Sequence, residues 1–137
     1  MTTMQKLTPF LMFQKGDAEA AMTFYAELFD DGEVLVLERF GAGEAGPEGT
    51  VKQGVIRVAG QQLRCFDSPP VHDFDFTPSL SLFVGCDSRE ELERLWAGLA
   101  DGGAPLMPVG DYGFEGPFGW TADRFGVSWQ LMVTVGG

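Results

Sequence analysis

An internal repeat constrains the fold of this 137-residue chain more than any other feature. Each half predicts one strand, one helix and then three strands. The first half contains "LTPFLMF", "GDAEAAMTFYAELF", "EVLVLERF", "VKQGVIRVAG" and "QQLRCFD", and the second contains "SLSLFVGC", "SREELERLWAGLADGG", "APLMPV", "GWTADRF" and "VSWQLMV". The repeat predicts an α+β fold of two tandem βαβββ modules. Each sheet covers one helix, and the opposite faces of the curved mixed sheets are expected to surround a shared cavity.

The two halves align residue by residue. One offset places Asp17 on Ser88 at the starts of the two helices. A slightly different offset relates the last strands of the modules and places Arg64 on Gln130. Residues that align in this way are expected to occupy equivalent positions in the two modules.

Prolines mark the boundary between the halves. The segment "SPPVHDFDFTP" has three prolines in eleven residues, which is typical of a linker. We therefore predict a single domain with a first module over residues 5–67, a linker over residues 68–78 and a second module over residues 79–135.

Both helices have recognisable start signals. Asp17 predicts the N-cap of the first helix, and Ser88 with Glu91 predicts a capping box at the second. The apolar spacing also predicts which side of each helix is buried. The predicted buried residues are Ala20, Phe24 and Leu28, with Ala21 and Tyr25 beside them, in the first helix, and Leu92, Leu95, Trp96 and Leu99 in the second.

The charge of the chain limits its partners. Its 20 acidic and 9 basic residues give a net charge of −11, which repels phosphate backbones and anionic lipids, so we predict no nucleic-acid and no membrane partner. No signal peptide and no apolar segment of the ~20 residues that span a bilayer is evident. Cys65 and Cys86 lie in apolar strands and predict buried free thiols, in keeping with a reducing cytoplasm.

Three segments resemble a known family. "TPFLMFQKGDAEAAMTFYAELF", "RVAGQQLRCFDSPP" and "DRFGVSWQLMV" are similar to the PhnB-like branch of the glyoxalase/bleomycin-resistance (vicinal oxygen chelate) superfamily. The helical pair "FY" and the closing pattern D-x-F-G-x-x-W carry most of the resemblance. It covers essentially the whole chain, and it implies the paired βαβββ fold and a homodimer. Members are often labelled demethylubiquinone methyltransferases.

The resemblance also implies where a metal would lie. Superfamily enzymes hold a divalent metal with His, Glu or Gln from the first and last strands of each module. The repeat places those positions at Phe10 and Ser81 in the first strands and at Arg64 and Gln130 in the last. Only Gln130 is a suitable ligand, because Phe10 has no donor atom and a guanidinium cannot coordinate a cation. We therefore predict no metal cofactor.

An apolar cavity with a few polar groups remains. Its predicted lining is Phe10, Met12, Arg64, Ser79, Ser81, Phe83, Gln130 and Met132. This mixture suits a small, partly apolar ligand with an anionic or carbonyl end, for which Arg64 is the candidate anchor. The alternative, that Arg64 points outward and the aromatic residues fill the core, has equal weight.

The segment "GDYGFEGPFGW" combines four glycines with four aromatic residues. Glycines allow movement and aromatic rings supply contact area, so the segment predicts a lid over the pocket, or a cover for a dimer interface. The aromatic candidates for ligand contact are Tyr112, Phe114, Phe118 and Trp120.

Three other sequence features are better explained by a structural role than by a catalytic or cofactor-binding one. His72, with Asp73 and Asp75, could form an acid–base or metal group but is better explained as solvated linker polarity. Cys65 lacks a predicted His partner and is interpreted as an inert thiol. "GAGEAG" has the glycine spacing of a nucleotide-binding loop, but a predicted strand follows it where such a loop requires a helix.

Four functions follow as hypotheses. The first is a metal-independent PhnB-like protein that binds, or acts on, a small molecule. The alternatives are a drug-sequestering resistance protein, a metal-dependent lyase or dioxygenase, and the methyltransferase that the family label implies. The sequence does not identify the ligand or establish a reaction.

Overall fold

The computed structural model describes residues 3–134, and it divides the chain into two compact units between Asp75 and Phe76. The division falls inside the predicted linker, whereas the predicted end of the second module at residue 135 lies outside the described residues. The first unit contains β1 (Phe10–Phe13), α1 (Ala18–Leu28), β2 (Glu33–Arg39), β3 (Val51–Val58) and β4 (Gln61–Asp67). The second contains β5 (Leu82–Cys86), α2 (Arg89–Ala100), β6 (Ala104–Gly110), β7 (Phe118–Ala122) and β8 (Ser128–Val133).

Each unit has one four-stranded mixed sheet. The strand orders are β1-β4-β3-β2 and β5-β8-β7-β6. In both sheets the first strand pairs in parallel with the last, while the other neighbours are antiparallel. The α+β class and the repeated βαβββ order are therefore confirmed.

Each helix packs on the sheet of its own unit, α1 against β3, β2 and β4, and α2 against β8, β7 and β5. In α2 the predicted face is correct, because Leu92, Leu95 and Leu99 are buried while Trp96 is partly buried. In α1 the prediction is correct for Ala21 and Tyr25, which are buried, and wrong for Ala20, which is exposed. Phe24 and Leu28 are only partly buried, and Ala18 and Met22 complete the buried face. Small alanines at several positions made the apolar periodicity of this helix ambiguous.

The two helix starts are satisfied differently. Ser88 accepts a hydrogen bond from the backbone N–H of Glu91 at 3.1 Å, which confirms the predicted cap. The side chain of Asp17 makes no capping bond, although it occupies the N-cap position. Instead Asp67, at the end of β4, accepts from the N–H of Ala18 at 3.0 Å and from that of Val51 at 2.8 Å. One buried carboxylate thus ties a helix and two strands together.

A matched glycine lies beneath each helix. Gly54 in β3 pairs with Cys65, and Gly119 in β7 pairs with Leu131. A Cβ atom on Gly54 would lie 2.6 Å from Sδ of Met22, and one on Gly119 would lie 2.7 Å from Cζ3 of Trp96. Both glycines are thus needed for close approach of a helix side chain to the sheet.

Strand β6 forms an outer edge of the second sheet. It contains Pro105 and Pro108, neither of which has a backbone N–H. Register shifts interrupt its pairing with β7 on the other side.

The side chain of Gln14 makes two hydrogen bonds to the segment after β4. Gln14 donates from Nε2 to the carbonyl oxygen of Phe74 at 2.7 Å, and its Oε1 accepts from the N–H of His72 at 3.1 Å. No helix within residues 3–134 has the length and apolar character needed to cross a membrane.

Candidate functional site

A row of three paired residues crosses the non-helical face of each sheet. In the first unit, Arg64 of β4 pairs with Phe10 of β1 and with Val55 of β3. The neighbouring pair, Gly54 and Cys65, faces helix α1, and side chains alternate along strands. Arg64 therefore projects from the opposite face.

The second unit has the equivalent row. Gln130 of β8 pairs with Phe83 of β5 and with Trp120 of β7. Phe83 is 54% exposed and Phe10 is 61% exposed, although each is flanked in its strand by a buried residue. Each row thus places a polar side chain beside an exposed phenylalanine.

These rows correct the predicted repeat alignment. Since Arg64 corresponds to Gln130, the residue equivalent to Phe10 is Phe83 and not Ser81. The connection between the first strand and the helix is longer in the first unit, so an alignment based on the helices places the strands two residues out of register. Ser81 lies immediately before β5.

Four polar side chains of the second unit form a hydrogen-bonded cluster. Trp120 donates from Nε1 to Oγ of Ser128 at 2.8 Å, and the hydroxyl oxygens of Ser128 and Ser81 are 2.7 Å apart. Gln130 donates from Nε2 to Oγ of Ser81 at 3.3 Å. The cluster brings together three predicted site residues, Ser81, Trp120 and Gln130.

The buried hydroxyl of Ser128 sets the direction of these bonds. Ser128 is 2% exposed, and within residues 3–134 Ser81 is the acceptor found for its proton. A buried hydroxyl proton requires an acceptor, so Ser128 donates to Ser81. Ser81 then accepts from both Ser128 and Gln130, which occupies its two lone pairs and leaves its own O–H to donate. With the Gln130 amide in this orientation, its carbonyl oxygen remains an acceptor.

The aromatic segment after β6 is folded against the same sheet. The ring centroids of Phe114 and Phe118 are 5.1 Å apart, and those of Tyr112 and Phe118 are 6.0 Å apart. Tyr112 also donates its hydroxyl proton to the carbonyl oxygen of Pro108 at 2.6 Å. Phe118 and Trp120 belong to strand β7 rather than to the loop, and Phe118 pairs with Met132.

The corresponding face of the first unit is aromatic around Arg64. The ring of Phe66 makes edge contacts with Phe10 and Phe40 at centroid distances of 6.1 Å and 6.2 Å. Met12 pairs with Phe66 and is partly buried. Phe10, Met12, Arg64 and Phe66 therefore share one face of the first sheet, and Phe40 contacts Phe66.

Two predicted groups lie apart from these faces. Ser79 is an exposed turn residue whose hydroxyl is 2.7 Å from that of Thr77. His72 is exposed and stacks on Phe74 at 4.9 Å. It borders a surface depression of about 400 Å³ that also includes Asp73 and Asp75.

Both cysteines are buried free thiols. Cys65 is 1% exposed and Cys86 is fully buried. Burial raises the pKa of the Cys65 thiol to about 12 and that of the Cys86 thiol to about 11, since a thiolate is poorly solvated there. Neither is a nucleophile near neutral pH.

The donor atoms of the two rows do not fit a divalent metal. Phe10 and Phe83 have no ligand atom, and Arg64 is a cation. No cluster of three or more His, Cys, Asp or Glu side chains suited to a metal occurs within the described part of the chain. Gln130 alone is not a coordination set, since protein metal sites use several ligands.

The glycine-rich loop leads into a strand. The segment "GAGEAG" ends four residues before β3, so no helix N-terminus is available for a phosphate. Gly46 lies against the ring of Phe40, where a Cβ atom would collide with it. The loop therefore supports the aromatic cluster of the first unit.

The closing pattern D-x-F-G-x-x-W has a structural role. Asp123 accepts from the N–H groups of Phe125 and Val127 at 2.8 Å and 3.1 Å. It also accepts from Nε1 of Trp129 at 2.9 Å. This buried carboxylate fixes the turn that positions β8, and thereby Gln130.

Sequence reasoning missed Ser128, Phe66 and Phe40. Ser128 and Phe66 are each two residues from a predicted site residue, Gln130 or Arg64, so strand alternation would have found them. Phe40 lies immediately after β2 and gave no such signal.

Comparisons with known proteins identify the family. Residues 5–132 match the family model described as 3-demethylubiquinone-9 3-methyltransferase. No curated protein shows significant similarity to the chain.

Solved structures agree with the family match. A PhnB protein from Bacillus cereus, which carries the same methyltransferase description, is 46% identical, with 95% of this chain and all of that one covered and a TM-score of 0.90. A protein from Pseudomonas aeruginosa is 27% identical over 96% of this chain and 98% of its own, with a TM-score of 0.82. A glyoxylase/bleomycin resistance protein/dioxygenase domain from Frankia sp. EAN1pec shares the fold, at 21% identity over 98% of this chain and 100% of its own and a TM-score of 0.62. The chain therefore belongs to the family of PhnB-like proteins described as 3-demethylubiquinone-9 3-methyltransferases, and it has the fold of the glyoxalase/bleomycin-resistance proteins.

Proposed function

We propose that this protein binds a small, partly apolar molecule on the non-helical face of its second sheet, without a metal. The donor–acceptor pair formed by the Ser81 hydroxyl and the Gln130 carbonyl carries this proposal. The buried Ser128 holds the Ser81 hydroxyl, which in turn accepts from the Gln130 amide. Gln130 pairs with Phe83 and Trp120 on the neighbouring strands. A neutral group that both accepts and donates, such as a carboxamide, matches the pair.

The surroundings of the pair supply the apolar contact. Phe83 is 54% exposed, and Trp120, Gln130 and Met132 are partly buried. Large apolar side chains exposed beside a few fixed polar groups are characteristic of small-molecule sites. Tyr112 and Phe114 extend this surface from the loop, and we retain them as ligand-contact candidates.

We infer that binding does not depend on a metal because the residues at the expected ligand positions lack suitable donor atoms. A lyase or dioxygenase of the superfamily type needs ligands at positions held here by Phe10, Phe83 and Arg64. Methyl transfer from S-adenosylmethionine is not favoured either, because the glycine loop leads into β3. Methyltransferase is the description of the family model and of the Bacillus protein, and we do not propose that activity for this chain.

Assembly and location form part of the same proposal. The family resemblance supports a single-domain protein that forms a homodimer, and the net charge of −11 opposes nucleic-acid binding. Buried reduced cysteines support a cytoplasmic protein.

Titration with hydrocinnamamide, an amide with an apolar body, tests the proposal. We expect saturable binding by calorimetry, and a change in tryptophan fluorescence that is lost in Trp120→Phe. Removing the donor with Ser81→Ala should weaken binding about tenfold, the typical value of one hydrogen bond.

Ser79→Ala is the matched control, because it removes an exposed hydroxyl outside the cluster. Equal affinity of the two serine variants, or no binding by the parent protein, would contradict the proposal. The N,N-dimethyl amide, which lacks a donor, should bind more weakly than the primary amide.

A further inference from the structure

We propose that the first unit contains an anion site, in which Arg64 binds a carboxylate whose apolar body lies against Phe10 and Phe66. This inference goes beyond the proposed function, because it concerns another face and another class of ligand group. It rests on three observations: the placement of Arg64, its lack of a polar partner and the aromatic surface around it.

Arg64 is held in the middle of a sheet. It lies between Leu63 and Cys65, each of which is 1% exposed, and its backbone pairs with both neighbouring strands. The base of its side chain is therefore fixed on the non-helical face. An arginine on a mobile loop would lose more conformational entropy on binding a ligand than one fixed in the middle of a sheet.

The guanidinium of Arg64 has no polar partner within residues 3–134. The other arginines in that range all make interactions. Arg39, Arg57, Arg89 and Arg124 pair with carboxylates, and Arg94 has an interaction as well. In a chain with 20 acidic residues, a partly buried arginine without an acidic neighbour is unexpected and is available to a ligand.

The neighbours of Arg64 define the rest of the ligand. Phe10 is 61% exposed and contacts Phe66 edge to face, and Phe40 makes a second edge contact with Phe66. These rings offer apolar area and no competing acceptor. A compact organic carboxylate with an aromatic or aliphatic body therefore fits better than a fully hydrated inorganic anion.

The chemistry of the guanidinium favours a carboxylate. Its planar N–H donors can form two parallel bonds to the two carboxylate oxygens, which a carboxamide cannot reproduce. The net charge of −11 repels anions in general, so preference for a carboxylate over its neutral amide requires a local cation.

Hydrocinnamate and hydrocinnamamide are matched probes for this site. They differ only in the terminal group, and binding of each to the full chain is measured by calorimetry. We expect Arg64→Met, which retains an apolar stem, to weaken hydrocinnamate binding about tenfold or more and to leave hydrocinnamamide binding unchanged. Arg64→Lys retains the positive charge but loses the two parallel N–H donors of the guanidinium. Its affinity for hydrocinnamate should therefore lie between those of the parent protein and Arg64→Met.

Arg89→Met is the control for charge removal, because Arg89 is exposed and pairs with Glu93 on helix α2. It should bind both probes like the parent protein. In the parent protein, raising NaCl from about 20 mM to about 500 mM should weaken hydrocinnamate binding more than hydrocinnamamide binding, which tests the inference without a variant.

The result separates the two proposals. If Ser81→Ala weakens only the amide and Arg64→Met weakens only the carboxylate, both are supported. If the parent protein does not bind hydrocinnamate at about 10 mM, or binds it as well after Arg64→Met, the anion site is wrong while the amide site stands. If only the amide fails to bind, the proposed function is wrong and the anion site stands.

Discussion

At the scale of single residues, two buried carboxylates stabilise this protein by accepting hydrogen bonds from backbone N–H groups. Asp67 accepts the N–H groups that begin α1 and β3, and Asp123 accepts those of the last turn and the indole N–H of Trp129. Hydrogen bonds to charged groups are among the stronger ones. Both aspartates thus stabilise the strands that carry Arg64 and Gln130.

Reaction of the cysteines with iodoacetamide tests burial at this scale. Because burial raises the pKa of the Cys65 thiol to about 12 and that of Cys86 to about 11, the reactive thiolate is scarce at pH 8. We expect no measurable alkylation of the native protein over hours, and rapid alkylation of two thiols in denaturant, followed by mass spectrometry. The raised pKa also means that stability should fall as the pH rises above about 9 towards these values.

A free cysteine peptide provides the reference rate at the same pH. Modification of Cys65 in the native protein at a comparable rate would show that its strand opens readily, in conflict with its 1% exposure.

Candidate site residues could be predicted from the sequence, whereas their hydrogen-bond partners could not. Arg64 and Gln130 were predicted because the repeat aligns them at matched positions of the two last strands, and Trp120 because it lies in a segment rich in glycine and aromatic residues. Neither the proton order through Ser128 nor the missing partner of Arg64 can be read from the chain, since both depend on distances across strands.

At the scale of elements, close packing of each helix depends on one glycine. We predict that Gly119→Ala lowers the free energy of unfolding by about 2–3 kcal/mol, because the new methyl group meets the rigid ring of Trp96 and a methyl of Val109. Gly54→Ala should cost less, about 1 kcal/mol, since the thioether of Met22 can rotate away. Urea denaturation measures both.

Gly110→Ala is the matched control in a strand. Its Cβ would make only an ordinary contact of 3.6 Å with Tyr112, so its stability should change by less than about 0.5 kcal/mol. A larger loss in Gly110→Ala than in Gly119→Ala would refute the packing argument.

Element order was predictable from the repeat, while register was not. The bounds of β4 agree with the predicted segment, whereas β5 starts three residues later than predicted. The misplacement of Ser81 arose because the helices and strands of the two halves have different offsets. Loop length between a strand and a helix is not fixed by either element, so only the hydrogen-bonded pairs establish which strand residues correspond.

At the scale of the whole molecule, surplus negative charge opposes folding. Ion pairs of Arg39, Lys52, Arg57, Arg89 and Arg124 offset part of this charge, and those on the surface contribute little individually. We predict that raising NaCl from about 20 mM to about 200 mM increases the Tm by ~2–4 °C, because screening reduces repulsion between carboxylates. Differential scanning calorimetry measures the shift.

The same experiment at about pH 4 is the control, since partial protonation of the carboxylates removes much of the repulsion. The increase should become smaller there. A Tm that falls with salt at neutral pH would instead indicate that the ion pairs stabilise the protein more than the net charge destabilises it.

The outer strand β6 has a consequence for the behaviour of this protein at high concentration. An exposed strand edge can template the addition of further strands, which is how many aggregates and fibrils begin. Pro105 and Pro108 lie in this edge strand and have no backbone N–H, and proline within sheets is largely confined to edge strands. The two prolines, with the register shifts beside them, make this edge a poorer template for fibril growth.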